Sequence, residues 1–141
     1  MTLSPVLKAR PADMEWTEKS PKTGDIIRRK VSFYYHYGIF VSESRVIQFG
    51  LPDNVSRPAN EVKVIETDIY EFLGNGNLET AVFSRFERKN MRSAEETVKI
   101  AESRLGEGGY NVFNNNCEHF VYACAFSKNP PPLFNPFKNQ T

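Results

Sequence analysis

At Ser93 the hydrophobic pattern of this chain changes period, and that change limits the available folds more than any other feature. Before it, apolar and β-branched residues come in short runs or alternate: Ile26-Ile27, Val31 to Val41, Arg45 to Phe49, Val62 to Ile65 and Thr80 to Phe86. After it they recur at helical spacing, first as Ala94, Val98, Ala101 and Leu105, then as Cys117, Phe120, Val121 and Cys124. A strand returns to the same face every second residue and a helix about every 3.6. Strands followed by helices predict an α+β fold rather than alternating α/β: an antiparallel sheet of about four to five strands packed against two to three helices.

Turn and cap residues punctuate the same scheme. Ser42-Glu43-Ser44 can reverse the chain and make a hairpin of its two flanking strands. Thr67-Asp68 can cap a short helix that Gly74 ends, and Ser93 with Glu96 forms a capping box for a longer one that Gly106 ends. Gly108-Gly109 opens a loop that closes on Asn116, a favoured N-cap, with Cys117 in the first turn of the next helix. Pro5, Pro11 and Pro21 mark residues 1–22 as an N-terminal leader. The ordered domain is expected over 23–127, opening at Gly24-Asp25, with a Pro-rich tail over 128–141.

With 141 residues, 40% hydrophobic and 25% charged, the chain suits one globular domain with a real core. A net charge of +1 gives no global attraction to nucleic acid or anionic lipid. No apolar run approaches the roughly 20 residues of a membrane span, and no apolar stretch of signal-peptide length opens the chain, so a cytoplasmic protein is expected. Cys117 and Cys124 are separated by about 10 Å of helix rise, too far for a disulfide, and are read as reduced thiols.

A thiol at a helix N-terminus gains thiolate character from the dipole and the free amides. It then wants an imidazole base and a third group to hold the ring. His119 is two residues from Cys117 on the same helix and points away from it. His36 is the other histidine, on the aromatic strand Phe33 to Val41. Gln48 lies on the strand expected to pair with it, at a parity that a short turn would align, and its amide oxygen can accept from an imidazole N–H. A cysteine in this position is also a common small core residue, and a strand histidine a common satisfied core group. Residue types alone leave those readings open.

Cys117, Glu118, His119 and Cys124 lack the spacing of a zinc site, so no metal and no cofactor are expected. Arg28-Arg29-Lys30, and Arg85, Arg88, Lys89 and Arg92 beside Phe83 and Phe86, could meet phosphates of RNA or lipid headgroups, but read first as solvated faces.

Two motifs in order carry a resemblance. Asn116-Cys117-Glu118-His119-Phe120-Val121 resembles the NCEHF signature of the lecithin:retinol acyltransferase-like family, and Tyr34-Tyr35-His36-Tyr37-Gly38-Ile39-Phe40-Val41 resembles its H-box. Gly24-Asp25, Arg45-Val46-Ile47 and Ala101 to Gly106 add supporting matches, and the likeness covers about residues 24–126. The family is similar to papain-like thiol hydrolases with the chain order permuted. The resemblance implies a thiol acyltransferase or phospholipase A in which Cys117 attacks a phospholipid or other acyl ester and His36 moves the proton. Gln48 would orient the ring, and Tyr34 would stand near the oxyanion with the Cys117 N–H.

Gln48 departs from the second histidine usual in the lipid enzymes. The segment after Val121 lacks the frequent Arg-Tyr-Gly ending, and no hydrophobic anchor follows, which implies peripheral membrane contact at most. The departures also resemble the small H-box/NC domains that some picornaviruses carry as 2A proteins. For these the implied partners are RNA or a host protein, in the host cytoplasm, with little or no catalysis.

Overall fold

In a computed structural model the chain is described over residues 15–52, 57–111 and 116–127. Six strands form one antiparallel sheet among these residues: β1 (Glu15–Thr17), β2 (Ile26–Val31), β3 (Tyr34–Ser42), β4 (Arg45–Phe49), β5 (Val64–Thr67) and β6 (Glu79–Val82). Their order across the sheet is β1-β6-β2-β3-β4-β5. Four helices accompany them: α1 (Ile69–Leu73), α2 (Arg85–Arg88), α3 (Ala94–Ser103) and α4 (Cys117–Ala125). The α+β class is as expected, with more strands and helices than the pattern suggested.

The differences have local causes. Val31 to Val41 is not one strand, because Ser32 takes a left-handed φ of 58° and turns β2 into β3, with Val31 opposite Tyr34. Thr80 to Phe86 stops as a strand at Val82, where Ser84 and Glu87 form a reciprocal capping box that starts α2 and leaves Phe86 exposed. Glu15–Thr17, in the stretch read as a leader, pairs with β6 at the sheet edge. The Pro-rich tail of 128–141 and the loop at 112–115 lie outside the described residues.

Other expectations hold as drawn. Ser42 and Arg45 face each other across a two-residue turn, Asp68 caps α1, and Gly74 ends it at a positive φ. The Ser93–Glu96 capping box starts α3. Its buried face is not the expected one, however. Thr97 and Ala101 are buried while Ala94 is exposed, because Thr97 returns its hydroxyl hydrogen to the Ser93 carbonyl and can then bury its methyl.

Two apolar clusters flank the sheet. Ile26, Tyr37, Ile39, Ile47 and Phe49 pack with Cys117, Phe120, Val121 and Cys124 of α4. Ile27, Phe40 and Val46 pack with Ile69 and Phe72 of α1 on the other side. Gly38 sits under α1, where an added Cβ would stand 2.9 Å from a Phe72 ring carbon. Strand alternation therefore assigns the even residues of β3 to the α1 side and the odd ones to the α4 side.

Candidate active site

His36 is fully buried on the α1 side, its ring centroid 5.5 Å from that of Phe72. Its Nε2 lies 2.7 Å from Gln48 Oε1, and Gln48 Nε2 donates to Thr67 Oγ1 at 2.6 Å. Thr67 in turn donates its hydroxyl hydrogen to the Asp68 carbonyl, at 3.0 Å. Each link fixes the next. The Asp68 carbonyl can only accept, so the Thr67 oxygen accepts from the Gln48 amide, whose oxygen must then face the imidazole. The ring consequently carries its hydrogen on Nε2, and Nδ1 is the basic nitrogen. The His36–Gln48 contact expected from parity is present, and Thr67 extends it. The sequence pattern marks Thr67 only as part of a helix cap.

Cys117 occupies the first turn of α4, packs in the cluster with Tyr37 and Phe49, and is buried. Asn116 caps that helix, accepting from the Glu118 and His119 amides at 2.9 and 3.1 Å. His119 closes the same capping box through Nδ1, so its imidazole serves the helix start, as its spacing suggested. The register between β3 and β4 begins at Gly38 opposite Gln48, and one residue earlier the Tyr37 backbone N–H turns to the Cys117 sulfur. Among the described residues no hydrogen bond joins that sulfur to the His36 ring. The sulfur touches instead the peptide group that links His36 to Tyr37.

The thiol is not the pre-formed thiolate that a helix N-terminus alone would favour. Burial pushes the Cys117 thiol up to about 12, and the nearby Glu118 carboxylate acts in the same direction. The N–H groups of Tyr37, Cys117 and Glu118 pull it down, but less strongly. Here desolvation outweighs the helix dipole. Cys124, one turn pair further along, is buried and raised for the same first reason.

Around the thiol lies a polar group that spacing did not reveal. Glu118 is buried, and burial pushes its carboxyl up to about 7 against the attraction of Arg28. Arg28 also acts on the Tyr37 hydroxyl, pairs with Glu79 at 2.7 Å, and stacks on Trp16 and Tyr35 with its Cζ 3.9 and 3.7 Å from the ring centroids. The solvated-face reading of Arg28 therefore fails. Its pairing with Tyr37 across β2 and β3 puts it on the α4 side, and the aromatic residues around it were the available signal. Tyr34, on the His36 side by parity, donates its hydroxyl hydrogen to the Pro52 carbonyl. No group of three or more potential metal ligands is found among the described residues.

Comparison with known proteins bears on what this arrangement does. The family model "Lecithin retinol acyltransferase" matches residues 19–130. The chain is 26% identical over 136 residues to lecithin retinol acyltransferase of Mus musculus, covering 81% of this chain and 58% of the relative. It is 27% identical over 134 residues to that of Homo sapiens, with the same coverage. The chain thus spans under two thirds of the length of the curated relatives it matches.

Proposed function

Because the chain belongs to the lecithin retinol acyltransferase family, we propose that it transfers acyl groups from lipid esters through an acyl-cysteine intermediate. The observation that carries this reading is the directional chain Thr67–Gln48–His36, which leaves Nδ1 basic beside the one strand peptide that bonds to the Cys117 sulfur. His36 Nδ1 takes the thiol proton as sulfur attacks the ester carbonyl carbon. The carbonyl oxygen becomes an oxyanion, for which the Cys117 N–H at the helix start is the nearest kind of donor. On collapse the C–O bond breaks, and imidazolium returns the proton to the leaving alcohol. An acceptor hydroxyl, amine or water then attacks the thioester with His36 as base, releasing product and thiol.

The raised thiol makes concerted proton transfer the sensible course, since free thiolate is scarce at neutral pH. Gln48 brings no charge to an imidazolium, so it serves orientation rather than electrostatic stabilisation. No helix among the described residues is long and apolar enough to cross a membrane.

Incubation with a phospholipid labelled in its acyl chain, followed by mass spectrometry, tests the reading. An acyl adduct on Cys117, absent in Cys117→Ala and strongly reduced in His36→Ala, is the expected result. If neither adduct nor released fatty acid forms, and Cys117→Ala matches the parent in every assay, the chain acts as a binding module, and the viral 2A-type reading takes its place.

A further inference from the structure

We propose that Arg29 anchors a phosphate group beside His36, and that the group it holds is the phosphodiester of a phospholipid ester. Arg29 stands directly opposite His36 in the β2–β3 register, and strand alternation places both on the α1 side. It is the end member of a polar row that crosses four strands as Arg29, His36, Gln48 and Thr67.

Its neighbour Arg28 is fully engaged, with an ion pair, a hydroxyl and two aromatic rings. Arg29 is half-buried and has none of these partners among the described residues. Its Nε is buried without a hydrogen-bond partner. Unlike Nε, Nη1 and Nη2 are not among the atoms that are both buried and unpartnered.

The turn after α1 is shaped to seat this cation. A Cβ on Gly76 would stand 2.6 Å from Arg29 Nε, and one on Gly74 would stand 2.9 Å from Nη1. Two glycines thus let the planar group lie against bare backbone. A half-buried cation held flat with its Nε unpartnered is a seat for an oxyanion, and a guanidinium fork matches two oxygens of a phosphate. RNA backbones are met by rows of exposed cations, whereas this is one recessed guanidinium within a residue's reach of a candidate base. That favours a single phosphodiester attached to the ester being cleaved.

The lipid half of the inference rests on the acyl-transfer reading; the phosphate seat does not. Binding is therefore measured on the Cys117→Ala protein, which cannot turn over. Its Arg29 Nε–H signal is followed by NMR during titration with dihexanoyl-glycerophosphocholine, inorganic phosphate or neutral dihexanoylglycerol. The two phosphates are expected to shift the signal and the neutral glyceride is not. Arg29→Gln should weaken both phosphates by about tenfold, and Arg29→Lys, which keeps charge but loses the fork, by less.

Equal affinity in Arg29→Gln, or an equal response to the neutral glyceride, overturns the proposal. Binding of inorganic phosphate without the phospholipid overturns its lipid half. With Cys117 restored, Arg29→Gln should raise KM for the phospholipid about tenfold with little change in kcat, and leave a neutral ester unaffected. Equal loss on both esters would reduce Arg29 to a fold residue. If no ester is turned over yet Arg29 still binds phosphate, the acyl-transfer reading falls and the seat stands.

Discussion

Gln48 shows how much one amide can settle. It sits fully buried between a hydroxyl that only its NH2 can satisfy and an imidazole that only its oxygen can satisfy. Replacing it with Leu leaves the His36 Nε2–H without its acceptor in the core. We expect a stability loss of about 1–3 kcal/mol in denaturant melts, and loss of the fixed tautomer in the ring nitrogen NMR shifts. The pairing of His36 with Gln48 was legible because strand parity is a strict rule. The neutral, buried state of Cys117 was not, because a helix N-terminus can be read from residue types while desolvation depends on what covers the thiol.

At the scale of elements, caps were the most readable signals. Asn116, Ser93 and Asp68 all begin helices as their residue types suggest. Asn116→Ala should remove both hydrogen bonds to the first turn of α4, costing about 1–2 kcal/mol in thermal or denaturant unfolding. The same change should slow acyl-adduct formation, since the cap also sets the position of Cys117.

Edges were less readable. The Ser84–Glu87 capping box lay in plain view but inside a run that alternated well enough to pass for strand, and only the end of β6 decides between them. Ser32 gives no warning of its left-handed turn, because Gly or Asn is the usual residue there. The exposed Ala94 and buried Thr97 of α3 show that a hydroxyl satisfied within its own helix escapes an apolar pattern.

At the scale of the whole molecule, the buried polar cluster around Glu118 ties stability to pH. The folded state raises this carboxyl from its ordinary value to about 7, so between roughly pH 4.5 and 7 the native chain holds a proton that the unfolded chain has released. The associated stability is complete below that window and is lost as pH rises through it, on the order of 3 kcal/mol. The melting temperature should fall from pH 5 to pH 8. Glu118→Gln should flatten that slope, and an unchanged slope would remove Glu118 as its source.

Strand β1 bears on the same scale in a different way. The first described strand of the chain pairs only with the last, β6, and carries Trp16 to the Arg28 guanidinium. Every other neighbouring pair except β2–β6 joins strands consecutive in the chain, so the sheet grows outward from local hairpins and reaches β1 only after β6 is in place. During synthesis Glu15–Thr17 waits until the chain has emerged through Val82, and its docking reports that the last strand of the sheet is in place.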